Sequence, residues 1–340
     1  MFATMRGAES SDATVSSMMF RPILMALERA GIDVKAFAAD NELPLDAIAD
    51  RDARLPRELA IRTWLAAGEA TNDDVLGLHI ATRAPPGMYG ALEYAIRSNA
   101  TVGDALLQFA RYYRIVSSSS ALVVDVTDTE ARVTHAAART PPAVVDNLFA
   151  LIVRVGRELS GVAVVPRSVK LTRSAPRVAG DHDAFFRVPV EFSAPVNELV
   201  FDAATLALPF VTADAALHEE LERRTEAMLG GLPAGAVFLR DARVAVMKSL
   251  REGTGATVAV LAAALDMSER TLQRRLGENA TSRSDLVDSV RHELALRYLA
   301  ADVGSTEAAY MLGFSEATAF HRAFKRWTGT TLKEYRARLR

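Results

Sequence analysis

The sequence predicts an α+β N-terminal domain joined to an all-α C-terminal domain in which two helix-turn-helix units are bridged by a long helix. Three observations carry this reading. Residues 258–276 and 306–327 repeat one pattern: an apolar helix, a sharp turn, then a capped helix with Gln, Arg or His on its outer face. Gly230, Gly231, Pro233 and Gly235 interrupt two strongly helical stretches and mark a boundary. Ahead of that boundary, helical periodicity gives way to short period-two segments and returns. The expected organisation is a loose polar tail at 1–16 (MFATMRGAESSDATVS), an α+β domain at 17–229, a linker at 230–240 and a helical domain at 241–340. With 340 residues, 50% of them hydrophobic, both domains can bury a core.

In the N-terminal domain the periodicity predicts helices over 18–30, ended by Gly31, and over 56–70, 75–82 and 102–116. Strands follow at 121–126 and 131–135, then a helix at 142–159. Further strand-like pieces lie at 168–172, 190–192 and 198–201, and an amphipathic helix at 212–229 closes the domain.

The C-terminal domain opens with a packing helix over 243–251, where Val244, Met247 and Leu250 form one stripe. Residues 258–265 are apolar almost all round, which predicts a helix buried in the bundle centre. Asp266 and Met267 make the turn, Ser268 is an N-cap, and Leu272 and Leu276 face the core at i, i+4. The opposite face presents Arg270 and Arg274 with Gln273 on its flank. Arg can grip guanine bidentately and Gln adenine, each worth about 1–3 kcal/mol of base discrimination. A long amphipathic helix over 284–301, roughly 26 Å by its rise per residue, can hold two such bundles apart. In the second unit Gly313 supplies the turn, Ser315 is the expected cap, and Phe320, Phe324 and Trp327 form the buried stripe. Thr318, His321 and Arg322 lie on the outer side. Gly329 ends that helix, and Thr331 with Glu334 forms a capping box for a last helix carrying Lys333, Arg336 and Arg338.

Charge divides the chain in the same place. Residues 240–340 carry 17 Lys plus Arg against 12 Asp plus Glu, a net +5, so the rest stands at −7 within a whole-chain charge of −2. A basic module on an acidic body suits a nucleic-acid contact surface attached to a domain that stays off the phosphates. The chain has no cysteine, which excludes disulfides, thiolate metal sites and cysteine nucleophiles. No apolar run reaches the 18–20 or so residues that span a bilayer, and the expected location is the cytoplasm.

SERTLQRRL and LGFSEATAFHRAFKRWTG resemble the AraC/XylS family of bacterial transcription regulators across roughly the last 100 residues. The resemblance implies base-reading roles for Arg270, Gln273 and Arg274 in the first unit and for Ala317, Thr318, His321 and Arg322 in the second. Ala317 offers only apolar contact, such as to a thymine methyl. Gly277 and Ala280 depart from the family pattern after the first reading helix, Ser305 and Ala308 replace branched apolar residues, and Leu332 replaces a proline. LGLHIA, YGALEYAIRSNATVGDALLQFARYYRIV and VPVEFSAPVNELVFDAATLALP resemble the arabinose-binding-type N-terminal domain found in such regulators. That resemblance implies effector sensing and oligomerisation. The partners it implies are double-stranded promoter DNA, RNA polymerase, a small-molecule effector and a second copy of the chain. The implied function is a sequence-specific, effector-controlled regulator, with activation favoured over repression. An architectural or weakly specific DNA binder is the alternative.

Tyr89, Tyr94, Tyr112, Tyr113 and Arg114 are the candidates for lining an effector cavity, with Arg114 placed to meet a carboxylate. Each aromatic has an alternative as plain core. His79, His135, His182 and His218 lack paired metal-ligand spacing, and Asp181 and Asp183 around His182 form a GDHD loop that reads as a solvated turn, with cation binding as the alternative. No cofactor motif and no catalytic constellation is present, and GLPAG reads as linker rather than a phosphate loop.

Overall fold

The computed structural model describes residues 13–136, 140–177, 180–232 and 234–339. The segment 1–12, Pro233 and the side chain of Arg338 lie outside the described residues. The described chain forms two compact units, one closing at Leu232 and the other beginning with a helix at Ala234.

The first unit opens with β1 (Thr14–Ser16), paired antiparallel with β2 (Arg54–Pro56). The predicted tail therefore ends sooner than residue 16. Buried Val15 pairs with buried Leu55, and the Arg54 guanidinium donates to the Thr14 and Ile115 carbonyls at 3.1 and 2.7 Å. Three residues are too few to show alternation, which is why the strand is invisible in sequence. Five helices follow: α1 (Arg21–Arg29), α2 (Val34–Asp40), α3 (Leu45–Ala49), α4 (Arg57–Thr71) and α5 (Leu76–Arg83). They enclose a core that includes Phe20, Ile23, Leu27, Trp64 and Ile80.

Next come α6 (Gly90–Arg97), α7 (Val102–Val116), β3 (Ala121–Val126), β4 (Glu130–Ala136) and α8 (Pro142–Ser160). The unit finishes with β5 (Ser168–Lys170), α9 (Asp181–Phe186), β6 (Val190–Glu191), β7 (Asn197–Asp202), α10 (Ala203–Leu206) and α11 (Ala215–Gly230). Sheet order is β3-β4-β7-β5-β6; every neighbouring pair is antiparallel except β5 with β6. Helix α8 starts with Pro142 at its first position and ends at Gly161 in the left-handed region, φ +69°. It lies hard against α5: a Cβ on Gly77 would stand 1.9 Å from the Ala143 carbonyl oxygen, so only glycine fits there. Fully buried Val133, Phe149, Val153, Leu199 and Phe201 join α8 to the sheet. The expected GDHD loop is instead α9. His182 turns inward to Asp146 at 3.3 Å, and Asp183 accepts the Val190 N–H at 2.9 Å.

The second unit is all helix: α12 (Ala234–Arg251), α13 (Val258–Ala264), α14 (Glu269–Glu278), α15 (Arg283–Ala300), α16 (Ser305–Met311), α17 (Ala317–Thr328) and α18 (Leu332–Leu339). Helix α12 begins well before the Arg243 start predicted, so 234–240 is helical rather than linker. Phe238 and Ala242 explain why, since both are buried in the unit's core. Helix α13 is less enclosed than its composition suggests. Leu261 and Ala262 are buried, but Ala259, Ala263 and Ala264 are exposed. Alanine is small enough to leave in water at little cost, so an Ala-rich run reads as more buried than it is.

One apolar core runs through the whole unit. Its axis is α15, started by a capping box between Ser282 and Asp285. Leu286, Val287, Val290, Leu294, Ala295, Tyr298 and Leu299 are buried on it, too wide a set for one stripe. The helix packs against α12 on the side of the first helix pair and against α16 and α17 of the second.

Candidate nucleic-acid interface and effector cavity

Helices α13 and α14 are joined by a tight turn in which Asp266 takes φ +50°, a left-handed conformation that Asp tolerates. The Ser268 hydroxyl accepts the Thr271 N–H at 3.2 Å and starts α14 as predicted. Leu272 and Leu276 are buried, which turns Arg270, Gln273 and Arg274 outward, and all three are exposed. Arg274 does not stand free: its Nη1 donates to Glu278 Oε1 at 2.5 Å across one helical turn. Arg275 lies over the Phe238 ring at 5.7 Å instead of joining the reading face.

The second pair is built differently. Gly313 turns the chain at φ +72°. The N-cap of α17 is Glu316, one residue beyond the Ser315 predicted, and its carboxylate accepts the Thr318 hydroxyl at 3.0 Å rather than a backbone N–H. Phe320, Phe324 and Trp327 are buried as expected. Thr318, His321 and Arg322 are exposed, while Ala317 is half-buried against the core. His321 shares a shallow depression with Lys333 and Arg336. Arg336 donates to the Val303 carbonyl, so its charge is tied partly to the protein's own backbone. Gly329, φ +73°, ends α17, and the Thr331–Glu334 capping box is present in both directions, 2.8 and 3.3 Å.

Sequence reasoning missed the residue that ties α15 to the turn of the second pair. Arg291 on α15 donates from Nε to the Leu312 carbonyl at 2.8 Å and from Nη2 to the Gly313 carbonyl at 3.0 Å. Its guanidinium lies 4.5 Å from the Phe314 ring centroid. It thus satisfies carbonyls at the end of α16 that no later turn of helix could reach. Burial draws its pKa below the ordinary arginine value.

In the first unit, α6, α7 and α8 enclose a cavity of about 110 Å³. Its wall is almost wholly carbon, from Leu92, Leu106, Phe109, Leu148, Ile152 and Phe201 among others. Tyr89 and Tyr113 of the predicted effector residues line it; Tyr94, Tyr112 and Arg114 do not. Tyr94 is exposed, with its hydroxyl over Gly87. Tyr112 is fully buried and donates to Glu226 at 2.8 Å, and Arg114 Nε donates to the Arg111 carbonyl at 3.2 Å. The polar side chains at the cavity are Tyr89, Glu93, Tyr113, Asn147 and Arg154. The Tyr89 hydroxyl faces Asn147 Oδ1 at 3.4 Å, and burial raises its pKa well above the usual tyrosine value. Glu93, Asn147 and Arg154 gave no signal in the sequence, because a single polar residue on a helix reads as surface.

Two helix-turn-helix pairs on one core, each turning an exposed polar face away from it, define a double helix-turn-helix DNA-binding protein. Comparison with known proteins carries this to the family. Residues 31–210 match the model of the arabinose-binding domain of AraC transcription regulators, and residues 261–338 match a helix-turn-helix domain. The chain belongs to the AraC family of transcription regulators. It is 29% identical over 269 residues to the ornithine utilization regulator of Pseudomonas aeruginosa, covering 78% of this chain and 79% of that one. It is 25% identical to the regulator VirS of Mycobacterium tuberculosis, covering 92% and 93%. The crystal structure of the transcriptional regulator CdpR from Pseudomonas aeruginosa aligns with a TM-score of 0.42 at 22% identity, covering 94% and 98%. Among the described residues no helix is long and apolar enough to cross a membrane.

Proposed function

We propose that this regulator is cytoplasmic, reads two successive major-groove segments of promoter DNA, and activates transcription under control of a small molecule or partner at its N-terminal domain. The observation that carries the reading is the pair of exposed faces, Arg270, Gln273 and Arg274 on α14 and Thr318, His321 and Arg322 on α17, set on one continuous core. Ala317, half-buried, supplies at most an apolar edge to the second face. Exposed Tyr310 and Met311 on α16 give the same unit an apolar surface that suits a protein contact, and RNA polymerase is the partner an activator needs. A second copy of the chain would let four helix pairs engage a promoter.

Base reading is tested with Gln273→Ala and Arg322→Ala on a library of randomised sites. Each variant should lose about 1–3 kcal/mol of discrimination at its own position. Equal weakening across all sequences would reassign these side chains to phosphate contact. The competing reading, a weakly specific architectural binder, predicts little preference for any site, whereas a regulator should favour its best site by about 10³ or more.

A further inference from the structure

We infer that the cavity beneath α6, α7 and α8 binds a small monocarboxylate with an apolar body, and that Arg154 holds its carboxylate. The wall argues first. A pentose carries hydroxyls on nearly every carbon, and each needs a partner once buried. The polar side chains of the lining are the Tyr113 hydroxyl and Tyr89, Glu93, Asn147 and Arg154, of which Tyr89 contacts both Glu93 and Asn147; the rest is carbon, which fits a mainly apolar body with one polar end. The domain model that the chain matches is described by arabinose, but these walls do not suit that sugar. At about 110 Å³ the space is of the order of a cavity that admits benzene. An occupant of about six carbons, as a chain or a ring, is the right scale.

The polar end argues second. Glu93 has its charge matched: Oε2 accepts the Tyr89 backbone N–H at 3.1 Å, and Oε1, though without a hydrogen bond, stands 3.6 Å from the Arg97 Nη1 cation. Arg97 also pairs with Glu158 at 2.5 Å. Asn147 donates to the Gly77 carbonyl at 3.2 Å. Arg154 is different. It donates from Nη1 to the Ala84 carbonyl at 2.8 Å, its buried Nε has no hydrogen-bond partner, and no described carboxylate lies within ion-pair distance. A buried guanidinium N–H left without an acceptor at the edge of an apolar cavity is satisfied best by an anionic oxygen. The carboxylate would lie beside the Tyr89 hydroxyl, with the hydrocarbon running between α7 and α8 towards Phe201.

The inference deepens the effector-controlled reading but is tested by binding alone. Titration calorimetry on the full chain would compare hexanoate, phenylacetate, hexanamide and L-arabinose. Hexanoate or phenylacetate should bind at least about tenfold more tightly than hexanamide, the spread expected of a charge-assisted hydrogen bond, and arabinose should give no heat. Arg154→Gln should bring hexanoate down to the level of hexanamide. Because Arg154 also holds the Ala84 carbonyl, Ala105→Leu supplies an independent variant: Ala105 lines the cavity, and the added methyl groups should abolish binding while leaving the charges in place. Equal binding of hexanoate and hexanamide, binding of arabinose, or no binding by either acid would overturn the inference. Failure of the regulatory reading shows elsewhere, as loss of the preference for a best DNA site.

Discussion

Glu278→Gln should tighten binding to the target site. In the free protein Arg274 is held by Glu278 at 2.5 Å, with the two side chains 60% and 53% exposed. A bidentate grip on guanine uses the same guanidinium edge, so the pair must open before Arg274 can read. An exposed i, i+4 pair contributes about 0.3–0.5 kcal/mol, and that amount is forfeited on binding. The Gln variant keeps the shape, removes the competing charge, and should gain about twofold in affinity. Fluorescence anisotropy on a labelled duplex at fixed salt reads this directly, since shifts in salt alone would mask it. In an Arg274→Ala background the same change should give no comparable gain. Unchanged or weaker binding by Glu278→Gln would refute the argument, showing that the carboxylate places Arg274 rather than competing for it.

Gly313 and Gly329 offer a matched comparison. Both adopt left-handed φ, +72° and +73°, but an added Cβ at 313 meets Leu250 Cδ2 at 3.1 Å while 329 opens on space. Gly329→Ala should cost about 1–2 kcal/mol from the backbone alone, and Gly313→Ala visibly more, measured by urea unfolding; equal losses would show that Leu250 yields freely. Burial lowers the pKa of His292, which packs 5.7 Å from the Trp327 ring, and nearby Glu293 opposes the shift only in part. The unfolded chain then takes up this proton first as pH falls. Stability is full above the unfolded value of about 6.5 and declines below it. His292→Gln should flatten the change in unfolding midpoint between about pH 7.5 and about pH 5.5, and an unaltered slope would assign it to other groups.

The C-terminal helices were legible because most bury one stripe at helical spacing and carry side-chain or glycine caps. Helix α15 was found within a residue at each end although it buries two sides. The strand segments β3, β4 and β7 also stood out, but not their order in the sheet or the parallel β5–β6 pair, since pairing depends on residues distant in sequence. Helices α2, α3 and α6 were missed for want of length or of a clear stripe. The exposed polar faces of α14 and α17 followed from simple geometry: once Leu272 and Phe320 point inward, Gln273 and His321 cannot. What stayed hidden was every role defined by a distant partner. Arg291 serves carbonyls 21 and 22 residues away, Tyr112 finds Glu226 114 residues on, and Arg154 is exceptional only in the company it lacks.

Helix α15, buried on two sides within one continuous core, packs α14 and α17 into a single body. Modules on a slack tether can follow half-sites that drift apart. A ruler cannot. On the proposed two-groove reading, one base pair inserted between the half-sites would turn the second by about 34° around the duplex, and the shared core would resist following it. On that reading, selection on its promoters would act on the phase between two short words as strictly as on their letters.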